Sequence, residues 1–356
     1  MRAHKSKSLI LLLAGCLVAL VVLISDQYLP GLPMQPKQLP AAVVTVGDST
    51  LSGEGGGNYV AGTNGEDDNW CHRSTAAPVN QLRLPPDVTR INLACSGART
   101  ESLRAEPEYV GVEKSQTAHL AELAQRYRIT DVVVQIGAND DPGFSEVVNQ
   151  CVEAWARRAP EGCSTRLDDG LWEKRIDLMQ PKALAVVGDI RAAMDRAGYT
   201  PGSYQLILQS YASPVAPEVR PELQGLSGCP FQTSDLAWIR DVGVPQLSAG
   251  LAEVAREANA RFLDLSRAGA GHEACTGDPK AANGEWFTRL TVDWEALKDE
   301  QRAPHAMQES FHANATGHAQ LARCLGQFMA TTEPGATCLP DERGNLNAVP
   351  LSDAHR

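Results

Sequence analysis

Three short apolar runs, each closed by small turn-forming residues, set the pattern of this chain. Val43-Val44-Thr45-Val46 runs into Gly47-Asp48-Ser49, and Arg90-Ile91-Asn92-Leu93 into Ala94-Cys95-Ser96-Gly97-Ala98. Val132-Val133-Val134-Gln135-Ile136 runs into Gly137-Ala138-Asn139-Asp140. Runs of this kind predict strands buried on both faces, the first over about 42–47. Tyr204–Gln209 and Arg261–Leu265 predict a fourth and a fifth strand. Leu120, Leu123 and Ala124 recur at helical spacing and predict a helix over 115–127. Leu184, Val187, Ile190, Ala193 and Met194 predict another over 181–198, and further helices are expected over 247–260 and 314–331. Strands alternating with helices predict an α/β fold, a parallel sheet covered on both faces. Such sheets place their chemistry beyond the carboxyl ends of the strands. The polar residues that end strands one, two and three are therefore the candidate site.

The N-terminus falls outside that pattern. Arg2, Lys5 and Lys7 precede an uncharged apolar run from Ser8 to Ile24, followed by Pro30, Pro33, Pro36 and Pro40. Its 17 residues exceed a usual signal-peptide core of ~7–15 residues and approach the lower limit of a membrane span. No Ala-x-Ala cleavage site follows, and Leu13-Ala14-Gly15-Cys16 fits a lipoprotein box badly because the run continues past it. An uncleaved membrane anchor is preferred over a cleaved signal or a lipoprotein, and all three imply export. The expected organisation is an anchor or signal at 1–25, a proline-rich linker at 26–40, a catalytic domain at 41–332 and a polar, peripheral tail at 333–356.

Composition narrows the partners. The net charge is −11, with no Lys/Arg cluster beyond the extreme N-terminus, which argues against nucleic acid. Apart from Cys16, eight cysteines remain: Cys71, Cys95, Cys151, Cys163, Cys229, Cys275, Cys324 and Cys338. An even number in an exported chain predicts four disulfides, and neighbour-to-neighbour pairing closes the shortest loops. No Cys-x-x-Cys or Cys/His cluster supports zinc. The glycine-rich stretch 51–69 lacks the Gly-Lys-Ser/Thr ending of a phosphate loop and reads as a surface loop. Within it, Glu66-Asp67-Asp68 lacks a calcium-loop pattern and reads as a solvated turn. Residues 141–180 read as an insertion carrying Cys151, Cys163, Trp155 and Trp172.

Serine catalysis needs a base and donors for the oxyanion. Ser49 offers the hydroxyl and a backbone N–H, Gly97 a second N–H and Asn139 a side-chain amide. His312 stands just before the last helix and is the candidate base. Glu309, three residues earlier, could accept the Nδ1 proton. His318 lies inside the helix and reads as structural, as do Asp48 and Asp140.

Gly47-Asp48-Ser49, the Gly97 block, Gly137-Ala138-Asn139-Asp140 and Glu309-x-x-His312 together resemble the four signature blocks of the SGNH (GDSL-type) hydrolase family. Asn69-Trp70-Cys71-His72-Arg73-Ser74 and the wealth of cysteines are similar to its secreted actinobacterial-type esterase and lipase branch. The resemblance spans about residues 41–330. It implies a three-layer α/β/α sandwich with a flavodoxin-like five-stranded sheet, order 2-1-3-4-5, and ester hydrolysis through an acyl-enzyme without metal or cofactor. It implies Ser49 as nucleophile, Ser49, Gly97 and Asn139 as oxyanion donors, and His312 as base. The family's usual acid is Asp; Glu309 in its place could act through its carboxylate or its main chain. The expected protein is a monomeric exported esterase or lipase acting on small-molecule or lipid esters. A carbohydrate O-deacetylase or acyltransferase of the cell envelope is the second expectation, and a non-catalytic binding module on the same fold the third.

Overall fold

A computed structural model describes residues 39–353 apart from 169, 279, 281 and 283. The expected anchor and nearly all of the linker fall on residues 1–38 and lie outside the described residues. Strand β1 (Ala41–Gly47) is buried along its whole length and sits inside the sheet. It leads into a single helical turn, α1 (Ser49–Ser52). β2 (Thr89–Asn92) follows, then helix α2 (Gln116–Arg126) and β3 (Arg128–Gln135). Helices α3 (Phe144–Ala156) and α4 (Leu171–Arg196) precede β4 (Gln205–Gln209). Helix α5 (Val244–Glu257), β5 (Arg261–Asp264) and helix α6 (Ala315–Met329) come next. The described chain ends with β6 (Gly335–Pro340) and β7 (Leu346–Pro350).

The sheet runs β2-β1-β3-β4-β5-β6-β7. Its first six strands are parallel and β7 pairs antiparallel with β6. α2, α4 and α5 pack together as one helical layer, and α6 covers β6 and β7 on the other side. Val43, Val44, Val46, Val132, Val133, Val134 and Ile207 fill the interior. Each such side chain contributes about 2 kcal/mol on burial. The three-layer α/β/α sandwich and the strand order 2-1-3-4-5 hold.

Seven strands replace the five expected. The extra pair, β6 and β7, comes from the stretch read as a peripheral tail. Gly335–Pro340 is short and ends in Pro340, but Cys338 is buried and bonded to Cys324 on α6, which fastens β6 to the core. α4 begins ten residues before the expected start at 181, because Pro181 lies inside the helix rather than at its head. A proline there forfeits one backbone hydrogen bond. The buried face Trp172, Ile176, Met179, Ala183 and Val187 carries the helix through it.

The four disulfides join Cys71 to Cys95, Cys151 to Cys163, Cys229 to Cys275 and Cys324 to Cys338. Cys151 and Cys163 also lie close to Asp235, in a spacing a metal could use. Both sulfurs are bonded to each other, however, and the Asp235 carboxylate already accepts from the Cys163 and Ser164 N–H groups.

Candidate active site

The turn that presents Ser49 is held from several sides. Gly47 donates its N–H to Gln116 Oε1 (2.6 Å), and its carbonyl accepts from Gln116 Nε2 (2.8 Å). A Cβ on Gly47 would lie 2.1 Å from the Gln135 carbonyl oxygen, so only glycine lets β1 lie this close to β3. Asp48 caps α1, accepting from the Thr50 N–H at 3.3 Å. The Tyr211 hydroxyl donates to the same carboxylate and accepts from the Ala138 N–H. Burial pushes the Asp48 pKa up to about 7. The reading of Asp48 as a loop-holding residue agrees with these contacts.

The three strand ends are tied to one another. The Cys95 N–H donates to the Gly47 carbonyl (3.0 Å), and the Ser96 N–H to the Cys71 carbonyl (3.0 Å). Asp140 accepts from the Thr100 N–H (3.0 Å) and hydroxyl (2.5 Å), joining the third strand end to the second. The Asn139 amide donates to the Ala98 carbonyl at 3.1 Å, which aims its remaining N–H. Gly97 has φ +75°, and a Cβ there would meet nothing within 4 Å. Backbone conformation, not space, calls for glycine at that position.

His312 comes from the far end of the chain. Its Nε2 lies 2.8 Å from Ser49 Oγ, and its Nδ1 lies 3.1 Å from the Ser310 carbonyl oxygen. A carbonyl only accepts, so Nδ1 carries the proton and Nε2 is left to accept from the serine. Burial holds the imidazole below the usual histidine range, against an upward pull from the Glu54 carboxylate and the Ser310 carbonyl. The ring is therefore a neutral base at neutral pH. Its loop is braced by Thr288, whose hydroxyl donates to the Glu309 carbonyl (2.5 Å) and whose N–H donates to the His312 carbonyl (2.8 Å).

The Glu309 carboxylate bonds Tyr59, and the His312 Nδ1 faces the Ser310 carbonyl. Glu309 accepts from the Tyr59 hydroxyl at 2.7 Å through that carboxylate, and its carbonyl accepts from the His312 N–H at 3.3 Å. It braces the backbone of the histidine loop, while the Ser310 carbonyl meets the ring. His318 is fully buried and donates Nε2–H to the Glu54 carbonyl (2.9 Å), as a structural histidine would.

The stretch 51–69 is not wholly a surface loop. Leu51, Ser52 and Glu54 are completely buried, and Gly55 lies against His312. Glu54 accepts from His72 Nδ1 (3.0 Å) and Gln308 Nε2 (2.9 Å), and the Tyr59 hydroxyl oxygen lies 3.1 Å from the same carboxylate. Sequence reasoning missed this cluster. The available signals were a Glu between glycines in Gly53-Glu54-Gly55 and the Cys71-His72-Arg73-Ser74 block.

Ser49, Gly97, Asn139 and His312 line one open cleft, which continues outward past Val152, Leu226 and Trp294. A second, narrower cavity leaves the same serine and histidine between Phe144, Val147, Trp172, Trp238, Ile239 and Leu247. Its walls are apolar except near the serine, and Trp172 and Trp238 close its side edge to face, 5.4 Å between ring centres. The 141–180 segment supplies much of this wall as α3 and the start of α4.

Comparison with known proteins places the fold. An extracellular lipase from Streptomyces rimosus superposes with a TM-score of 0.53 at 22% identity, covering 78% of this chain and 94% of that one. Phospholipase A1 from Streptomyces albidoflavus gives a TM-score of 0.52 at 21% identity over the same shares. No curated protein sequence matches the chain. The GDSL-like lipase/acylhydrolase family model matches residues 45–320, from the middle of β1 into α6. The chain belongs to that family and is a carboxylic ester hydrolase.

Proposed function

We propose that this protein is an exported serine esterase of the lipase type, cleaving esters of hydrophobic acids through an acyl-enzyme on Ser49. The observation that carries the reading is the 2.8 Å contact between Ser49 Oγ and His312 Nε2 at the mouth of an apolar cavity. Ser49 Oγ attacks the ester carbonyl carbon while its proton passes to Nε2. The oxyanion accepts from the Ser49 and Gly97 N–H groups and the Asn139 amide. The alcohol leaves with the proton from His312, and water then repeats the sequence on the acyl-enzyme. The narrow cavity takes the acyl chain and the open cleft the alcohol. Four disulfides support export. So does the extracellular Streptomyces lipase that shares the fold, and the phospholipase beside it fits a lipid ester. The catalytic domain in this reading runs from residue 41 through β7.

The test is a series of p-nitrophenyl esters of rising chain length. A rate that climbs beyond acetyl supports the lipid reading. A maximum at acetyl overturns it in favour of a carbohydrate O-deacetylase, and no turnover at all favours a binding module.

A further inference from the structure

The buried acid beside the histidine is Glu54, five residues after Ser49. Its side chain is wholly removed from solvent, and both His72 and Gln308 donate to it. A buried carboxylate stays ionised only when hydrogen bonds and opposite charge replace its lost water. Burial alone would raise its pKa; the hydrogen bond from His72, with the fields of His312 and His72, outweighs that and lowers it. Gln308, which grips Glu54, belongs to the same loop as Ser310 and His312. The Glu54 carbonyl in turn accepts from His318 on α6. One residue thus joins the serine's loop to both elements that flank the histidine.

We propose that Glu54, and not Glu309, is the positioning residue whose negative charge steadies the His312 ring when it takes the Ser49 proton. The proposal rests on the serine–histidine reading above. Glu54 acts through its field and through Gln308, with no hydrogen bond to the imidazole, and the next residue, Gly55, lies against His312. A charge shut off from solvent acts far more strongly on a neighbour than an exposed one. Other ionisable groups near the ring are fewer in effect. Glu309 is partly exposed and engaged with Tyr59, and His72 is turned to Glu54. His318 is held neutral with a pKa of about 4, and Asp48 faces the same cavity with a pKa of about 7.

The experiment is the pH dependence of kcat/KM for wild type, Glu54→Gln and Glu309→Gln, alongside fluorophosphonate labelling and thermal melting. An anion near the ring raises the histidine pKa, so its removal lowers it. In Glu54→Gln the acid limb is expected to move down by about one unit and the plateau to fall about tenfold or more. In Glu309→Gln the limb moves by less than half as much. A purely structural role for Glu54 would lower the melting temperature and leave the limb in place. A folded Glu54→Gln enzyme with an unmoved limb overturns the proposal. If that variant does not fold, Tyr59→Phe in the Glu309→Gln background takes its place. Baring the Glu54 charge then moves the limb up, and an unmoved limb contradicts the proposal. Wild type that fails to label at Ser49 defeats the serine reading itself and this inference with it.

Discussion

The Nδ1 of His312 faces the carbonyl oxygen of Ser310 at 3.1 Å, where a serine hydrolase triad would place a carboxylate. A main-chain acceptor fixes the tautomer and the ring angle but brings no formal charge. Glu309, the residue that chain position suggests for that job, is occupied with Tyr59.

Glu309→Gln is therefore expected to keep at least about a fifth of wild-type kcat/KM, the loss fitting a partly exposed charge of at most ~1 kcal/mol. Steady-state kinetics on a p-nitrophenyl ester measure it. A loss of more than about a hundredfold would mean that the carboxylate is needed by the ring after all.

Asn139 is aimed by its bond to the Ala98 carbonyl. Asn139→Ala is expected to lower kcat by about 100–1,000-fold while KM changes little, the signature of an interaction made with the oxyanion. A change confined to KM would assign the amide to substrate binding instead.

Two buried groups tie stability to pH in opposite directions. His318 has a pKa of about 4 when folded against an ordinary 6.5, so the fold favours its neutral form. Its contribution is complete above pH 6.5 and disappears as pH falls toward 4, about 3 kcal/mol in all. Asp48, raised to about 7 from 3.8, contributes at low pH and loses that contribution as pH rises through 7. The difference between wild type and His318→Gln isolates the first. Urea unfolding at pH 7 and pH 4 should show a smaller acid loss in the variant, and equal losses would remove His318 as the cause.

Val148 lines both the narrow cavity and the open cleft. Val148→Trp is expected to cut rates on long-chain esters by about ten- to a hundredfold relative to acetyl esters. Uniform loss across chain lengths would place the acyl chain elsewhere.

The sheet and the candidate residues were legible because their signals are local. Val43–Val46 and Val132–Val134 read as buried strands without help from distant residues, and each is followed by its polar turn. The His312 loop was legible from its place before an amphipathic helix. What escaped depends on contacts far apart in sequence. The helix was expected to start only at 181 because the cost of Pro181 is local, while the packing of Ile176 and Ala183 that overrides it is not. β6 and β7 looked like tail because six and five residues carry little pattern until a neighbour, here β5, pairs with them. Glu54 falls within the stretch 51–69 that reads as a surface loop. Only the donors His72 and Gln308, from two other places in the chain, make its burial possible.

The most direct test of the serine–histidine geometry is mass-spectrometric mapping of the protein after reaction with a fluorophosphonate. One adduct on Ser49 is expected, forming quickly in wild type, slowly in His312→Ala and not at all in Ser49→Ala. An adduct on any other residue, or none on the folded wild-type enzyme, would contradict the account.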